Sequence, residues 1–444
     1  MKTNSAICGL CQLPANLLCA GCGDIAYCSK NCQKSAWKSG HKNECKPYKI
    51  ETHPEFGRFL VASRQLKAGS RILTKIKPAI CGPPLTILGN SNKFKSEEFD
   101  EELCLKLENL QLQGNSQIIT PLKFLTLQKS DPDTFAKLLK LESHVEQVKK
   151  SERWKDFQQN IISPLKKLGY AEDLISQIVG IICTNSFELL QKDSIPQHGL
   201  FELASLMNHD CVGNTRLVID SSKDGFKMSV FASVPISKGS PILFNYVKPL
   251  DCYETRKENL LNFKFFLCQC PRCQDPTEFK TFNSAYLCPI CQTGPVIFQD
   301  NLWTCLDCKA VIEEAKIRHI DLKISEARKK IAKIQARLDL SQAKQLDLEF
   351  LGMLYPSHGF MLEIKQALIT CTAAAVNNPG PEAEPQMQRQ RIFWCQEILD
   401  SLDILEPGLS IGRGMKSISL KCCDVYKPCF LQINNFIKSN IDKD

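Results

Sequence analysis

Between residues 317 and 338 the apolar positions Ile317, Ile320, Ile324, Ala327, Ile331, Ile334 and Leu338 recur at intervals of three and four. That period lays one apolar stripe along a long amphipathic helix. Three heptads could pair with a second chain, but we expect the stripe to pack on a neighbouring helix of the same chain. HGFMLEIKQALITCTAAAV (358–376) and RQRIFWCQEILDSLDIL (389–405) add further helical stretches, separated by the Pro/Gly-rich NNPGPEAEP at 377–385. Residues 95–180 also carry helical periodicity and few turns. QTGPVIFQDNLW (292–303), by contrast, suits a short β-hairpin. At 444 residues the chain exceeds what one core organises, and no internal repeat is evident. The pattern therefore predicts an α+β, multi-domain protein.

No apolar run reaches membrane-spanning length; the best, LISQIVGIIC at 174–183, is short and contains Ser and Gln. The start, MKTNSAICGL, lacks the apolar core and cleavage site of a secretory signal, so we expect the cytoplasm, the nucleus or both. Thiols stay reduced there, and 24 cysteines then argue for metal rather than disulfides.

Residues 8–45 offer eight ligands, Cys8, Cys11, Cys19, Cys22, Cys28, Cys32, His41 and Cys45, enough for two tetrahedral zinc sites. A CxxC pair converges on one ion, while Cys28/Cys32 and His41/Cys45 are i, i+4 pairs on one helix face, the first helix capped by Ser29. Cys288, Cys291, Cys305 and Cys308 form two CxxC knuckles around the expected hairpin, a zinc-ribbon spacing. Cys268, Cys270 and Cys273 make only three ligands, so a fourth must come from elsewhere. The remaining nine cysteines (Cys81, Cys104, Cys183, Cys252, Cys371, Cys395, Cys422, Cys423 and Cys429) lack ligand spacing and are treated as ordinary thiols. About four ions would bind fifteen thiolates, which takes the formal charge from +8 to about +1. The charge then gives little argument for a nucleic-acid partner. Residues 1–50 alone carry a net +5 before metal, which would steer acidic partners.

The run YCSKNCQKSAW (27–37), with its flanking ligands, resembles the MYND zinc finger. In that family the sites interleave, which would give Cys8, Cys11, Cys28 and Cys32 one ion and Cys19, Cys22, His41 and Cys45 the other. MYND fingers take proline-rich peptides, so such ligands are expected here. LASLMNHDCVGNT (203–215) resembles the NHxC motif of SET-domain lysine methyltransferases, in which that cysteine joins a downstream CxCxxC. The resemblance makes Cys211 the missing fourth ligand.

Three further stretches match the SET pattern in order. Residues 51–83, with VASRQLKAGSRIL inside them, look like the opening strands. ICTNSF (182–187) looks like the strand-loop bearing a cofactor-binding Asn185, and KGSPILFNYV (238–247) like the stretch ending in the catalytic tyrosine, Tyr246. Together the motifs resemble the SMYD family (SET and MYND domain proteins) across nearly the whole chain. The finger precedes the SET strands instead of interrupting them, as in the arthropod-type branch.

That resemblance implies a MYND finger at 1–48 and a SET domain at 49–250 with a helical insertion at about 95–180. A post-SET zinc segment would follow at 251–284, then the ribbon at 285–312 and a helical C-terminal domain at 313–444. It implies S-adenosylmethionine as cofactor, bordered by Phe56, Gly57 and Arg58, with Asn185, Ser205, Asn208, His209, Tyr246 and Phe266 completing its site. The implied activity is protein-lysine methylation of a histone or another protein. The chain departs from the family pattern at Phe59 (for the second glycine of GxG), Ser240 and Pro241 (for an acidic pair), Gly213 (for proline) and Lys264 (for an aromatic). These changes keep open an adaptor or corepressor that works through protein binding.

Overall fold

The computed structural model describes residues 6–19, 25–42, 45–55, 57–85, 99–190, 196–222, 225–376 and 384–408. Cys22, Phe56, Cys422, Cys423, Cys429 and most of the 377–385 linker lie outside them. Two compact units result: one formed by 1–208, 215–243 and 261–266, the other by 209–214, 244–260 and 267–444.

In the first unit the finger pairs Ala6–Ile7 with Pro14–Ala15 and Leu17–Leu18 with Ala26–Tyr27. Its helix, Lys30–Ala36, starts where Ser29 Oγ accepts the Cys32 N–H at 3.2 Å. The helical path continues through Trp37–His41, kinked at Gly40, and Cys45 N–H donates to His41 O at 2.7 Å. The finger's core is mostly sulfur: Cys8, Cys19, Tyr27, Ala36 and Cys45. So little hydrocarbon cannot offset chain entropy unaided.

Three antiparallel sheets follow. Tyr48–His53 pairs with Gly57–Ala62, the second strand starting at Gly57 with φ +68°. Thr215–Ser222, Gly225–Ala232 and Arg71–Ile76 form the second sheet, in which Phe226, Met228 and Val230 alternate inward. Ile80–Gly82, Gln197–Leu200 and Phe187–Leu189 form the third.

Between the strands lies a run of helices. It includes Glu101–Asn109 capped by Asp100, Ile119–Ser130, Pro132–Leu138 capped by Asp131, and Glu172–Asn185. Asn185 is thus not on a strand-loop, as the family pattern suggested. The apolar period of Ile175, Ile178, Val179 and Ile182 stays buried, and the helix runs to Asn185 before Ser186 turns extended.

In the second unit, Tyr286–Leu287, Pro295–Gln299, Leu302–Cys305 and Val311–Ile312 form a meander in sequence order, its central turn made by Asp300 and Asn301 at positive φ. The long helix, Glu314–Arg337, buries Ile317, Ile324, Ala327, Ile331 and Ile334. It packs on Gly359–Val376 and Leu340–Phe350 of the same chain, so the stripe is intramolecular. Leu338 leaves the stripe: it caps the helix at φ +55° and is exposed.

Gly180 lies against the backbone, where an added Cβ would meet Ser143 O at 2.3 Å. Gly180→Ala should therefore lower unfolding stability by about 1–3 kcal/mol, measured by denaturant titration, despite alanine's better helix propensity.

Candidate functional site

Four thiol groups converge in the structure. Cys11 Sγ is 3.4 Å from Cys28 and 3.7 Å from Cys32, which is 3.5 Å from Cys28; Cys8 completes that group. Cys19 Sγ lies 3.8 Å from Cys45 and 3.2 Å from His41 Nε2. Cys211 Sγ reaches across 57 residues of sequence to within 3.9 Å of Cys268 and 3.5 Å of Cys273, with Cys270 in the same group. Cys288–Cys308 and Cys291–Cys305 are each 3.7 Å apart. Among the described residues the cysteines are free thiols, and these gaps far exceed an S–S bond. Tetrahedral zinc with Zn–S bonds of about 2.3 Å places its sulfurs about 3.8 Å apart, so the donor sets fit zinc.

Each tetrathiol group also begins with a stabilised thiolate. Backbone N–H donation, chiefly from Cys11, brings Cys8 down to about 6. The Thr293 side chain, helped by its backbone N–H, brings Cys291 to about 6, and hydrogen bonding from Cys211 brings Cys273 to about 7.

Beside the Cys211 group lies a buried charge cluster that sequence reading missed. Arg256 Nη1 and Arg272 Nε both donate to Glu278 Oε2, at 2.7 and 2.6 Å, and Arg256 Nη2 points at Cys273 Sγ at 3.7 Å. Two cations against one carboxylate leave a net positive charge beside thiolates. No local spacing signals this, because residues 256, 272 and 278 share no motif.

The segments around Cys211 and Tyr246 are stitched together. Asp210 N–H donates to Phe244 O at 3.2 Å, and Asn245 Nδ2 to Cys211 O at 3.0 Å. Tyr246 N–H donates to His209 Nδ1 at 3.0 Å, while His209 Nε2 lies 3.3 Å from Cys211 Sγ. The His209 ring thus engages Tyr246 and Cys211 through its two nitrogens. Tyr246 packs on His209 and Phe244, at ring-centroid distances of 5.1 and 6.3 Å. Burial raises its phenol above the ordinary range and keeps it neutral.

In the first unit Asn185 Nδ2 donates to Glu142 O and Ile181 O at 2.7 and 2.9 Å, and Ser205 Oγ donates to Asn185 O at 3.3 Å. Arg58 Nη2 donates to Lys140 O at 3.0 Å. Gly57 is exposed, whereas Asn208 and Phe266 are half-buried. Phe59 pairs with Glu51 inside the hairpin. Lys264 Nζ donates to Thr184 O in the last turn of Glu172–Asn185, and burial lowers its pKa to about 8.

Comparison with known proteins finds the MYND finger at residues 8–45 and the SET domain at 57–247. The chain belongs to the SMYD family. Among its relatives, SET domain-containing protein SmydA-8 of Drosophila melanogaster is 32% identical over 160 residues, 33% of this chain and 35% of that one. Histone-lysine N-methyltransferase Smyd1 of Mus musculus is 24% identical, covering 60% of this chain and 46% of the relative. Histone-lysine N-methyltransferase SMYD3 of Homo sapiens is 26% identical, covering 61% and 52%. The chain thus spans about half or less of the SMYD relatives it matches. Among the described residues no helix is long and apolar enough to cross a membrane.

Two measurements test this SMYD site. Native mass spectrometry should return four zinc ions per chain, and three for Cys270→Ser. A lysine whose native pKa is about 8 against an ordinary 10.5 binds fewer protons folded than unfolded above pH 8. Its contribution to stability therefore rises with pH from about 8, while Cys183, pushed up to about 11 by burial, acts oppositely above 9. Between pH 7.5 and 9, Lys264→Met should show a flatter dependence of unfolding free energy on pH than the unaltered protein.

Proposed function

We propose that this protein is a protein-lysine methyltransferase that uses S-adenosylmethionine, with Tyr246 as its catalytic residue. The observation that carries the reading is the placement of Tyr246: it is the penultimate residue of the SET match, its backbone is held by His209, and its phenol is kept neutral by burial. The cofactor supplies a methyl group activated by a sulfonium. A neutral phenol is no general base, so its oxygen serves to hold the reacting groups in line, and the substrate amine arrives already deprotonated. Asn185 spends its amide N–H groups on backbone carbonyls and so offers a ligand its Oδ1, an acceptor suited to an ammonium group. Gly57, Arg58, Ser205, Asn208 and Phe266, with Phe56, would line the rest of the cofactor site. The names of the mammalian relatives support a histone or other protein lysine as substrate. In cells we place the protein in the cytoplasm, the nucleus or both.

The finger favours a second reading. Ile7, Leu10, Leu13, Leu17, Leu18 and Trp37 are exposed on a module too small to be an enzyme. That surface suits a proline-rich peptide, and a protein working through it alone would be an adaptor or corepressor. Calorimetry on the zinc-loaded protein separates the two. Micromolar binding of S-adenosylmethionine, with transfer to a lysine-containing protein that drops on the order of 10²-fold in Tyr246→Phe, is expected of the enzyme. No measurable cofactor affinity would establish the adaptor in its place.

A further inference from the structure

We propose that His209 is a positioning residue that couples the metal site at Cys211 to Tyr246. This rests on the reading of Tyr246 as catalytic, but its first two tests do not.

The argument begins with a proton. Tyr246 N–H can only donate, so His209 Nδ1, 3.0 Å away, must present its lone pair. In the neutral ring the proton is then on Nε2, the nitrogen 3.3 Å from Cys211 Sγ. A thiolate held by zinc accepts such a bond and cannot rotate away from it. The metal therefore fixes the sulfur, the sulfur fixes the ring, and the ring fixes the Tyr246 backbone. Asn245 repeats the link from the other side: its Nδ2 donates to Cys211 O and its Oδ1 accepts the Val247 N–H, both at 3.0 Å. The residue on each side of Tyr246 is thus tied into this network, Asn245 directly to Cys211 and Val247 through Asn245. Occupancy of one metal site becomes a determinant of tyrosine placement, with no contact between metal and substrate required.

The full chain loaded with ¹¹³Cd gives the first test. In His209→Phe, which keeps ring volume but removes both hydrogen bonds, the resonance that Cys270→Ser abolishes should shift while those of the finger and ribbon hold. Zinc at that site should also be lost to a chelator about tenfold sooner. A folded His209→Phe protein in which every cadmium resonance is unmoved would overturn the proposal. The second test needs no variant. ¹⁵N-histidine spectra of the unaltered zinc protein should show His209 protonated on Nε2, and a proton on Nδ1 would refute the coupling. Where methyl transfer is measurable, His209→Phe should lower kcat about tenfold with cofactor affinity within about twofold. Should the unaltered protein transfer no methyl group, the function fails, while the cadmium and nitrogen spectra still decide the coupling.

Discussion

Four sulfur atoms, one at 211 and three at 268–273, have to meet within a few ångströms, and much of the second unit depends on that meeting. Closing a loop of 57 residues costs chain entropy that one buried cysteine cannot offset by packing. A metal bond can, because its free energy is folding free energy. The finger obeys the same rule more severely. Its core of three cysteines, one tyrosine and one alanine contains almost nothing for the hydrophobic effect to act on. Metal sites therefore do here what apolar layers do in the helices of 314–405, where Phe350, Phe360, Leu362, Ile364 and Leu368 are fully enclosed.

The helices that follow the finger in the first unit solve a different problem, that of aiming polar groups without a metal. A helix packed closely enough to touch the Ser143 backbone through Gly180 brings Asn185 to the Glu142 carbonyl. The amide then has one orientation. Lys264 supports the same helix end by donating to the Thr184 carbonyl, which the last turn leaves without a helical donor. A lysine where the family has an aromatic is therefore a helix cap as well as a change in the lining.

What could be read from the sequence was what lies close along it. CxxC and i, i+4 pairs carry their geometry in their spacing, and so do the ribbon hairpin and the isoleucine stripe. Leu338 fits the stripe's period, yet the chain turns left-handed there, and period alone does not mark the last turn. Cys211 could be found only through the NHxC motif, because nothing local distinguishes it from Cys183 or Cys252. The same motif pointed to His209, while the hydrogen bond that its ring accepts from Tyr246, 37 positions away, has no local signal. The Arg256–Glu278–Arg272 cluster was not legible at all, since three ordinary charged residues become a unit only when the fold buries them.

That cluster has a consequence for how the molecule is made. Two guanidiniums sealed from solvent around a single carboxylate carry a surplus positive charge, and the neighbouring thiolates are its counterion. Without the ion the sulfurs carry less negative charge, and more of the surplus is left to the carbonyl oxygens of Pro249 and Asp251 and the Asn283 amide. A finished scaffold awaiting its metal is thus less stable than the loaded one. Zinc supply thereby bears on how fully the chain compacts, which ties the yield of folded protein to a trace nutrient.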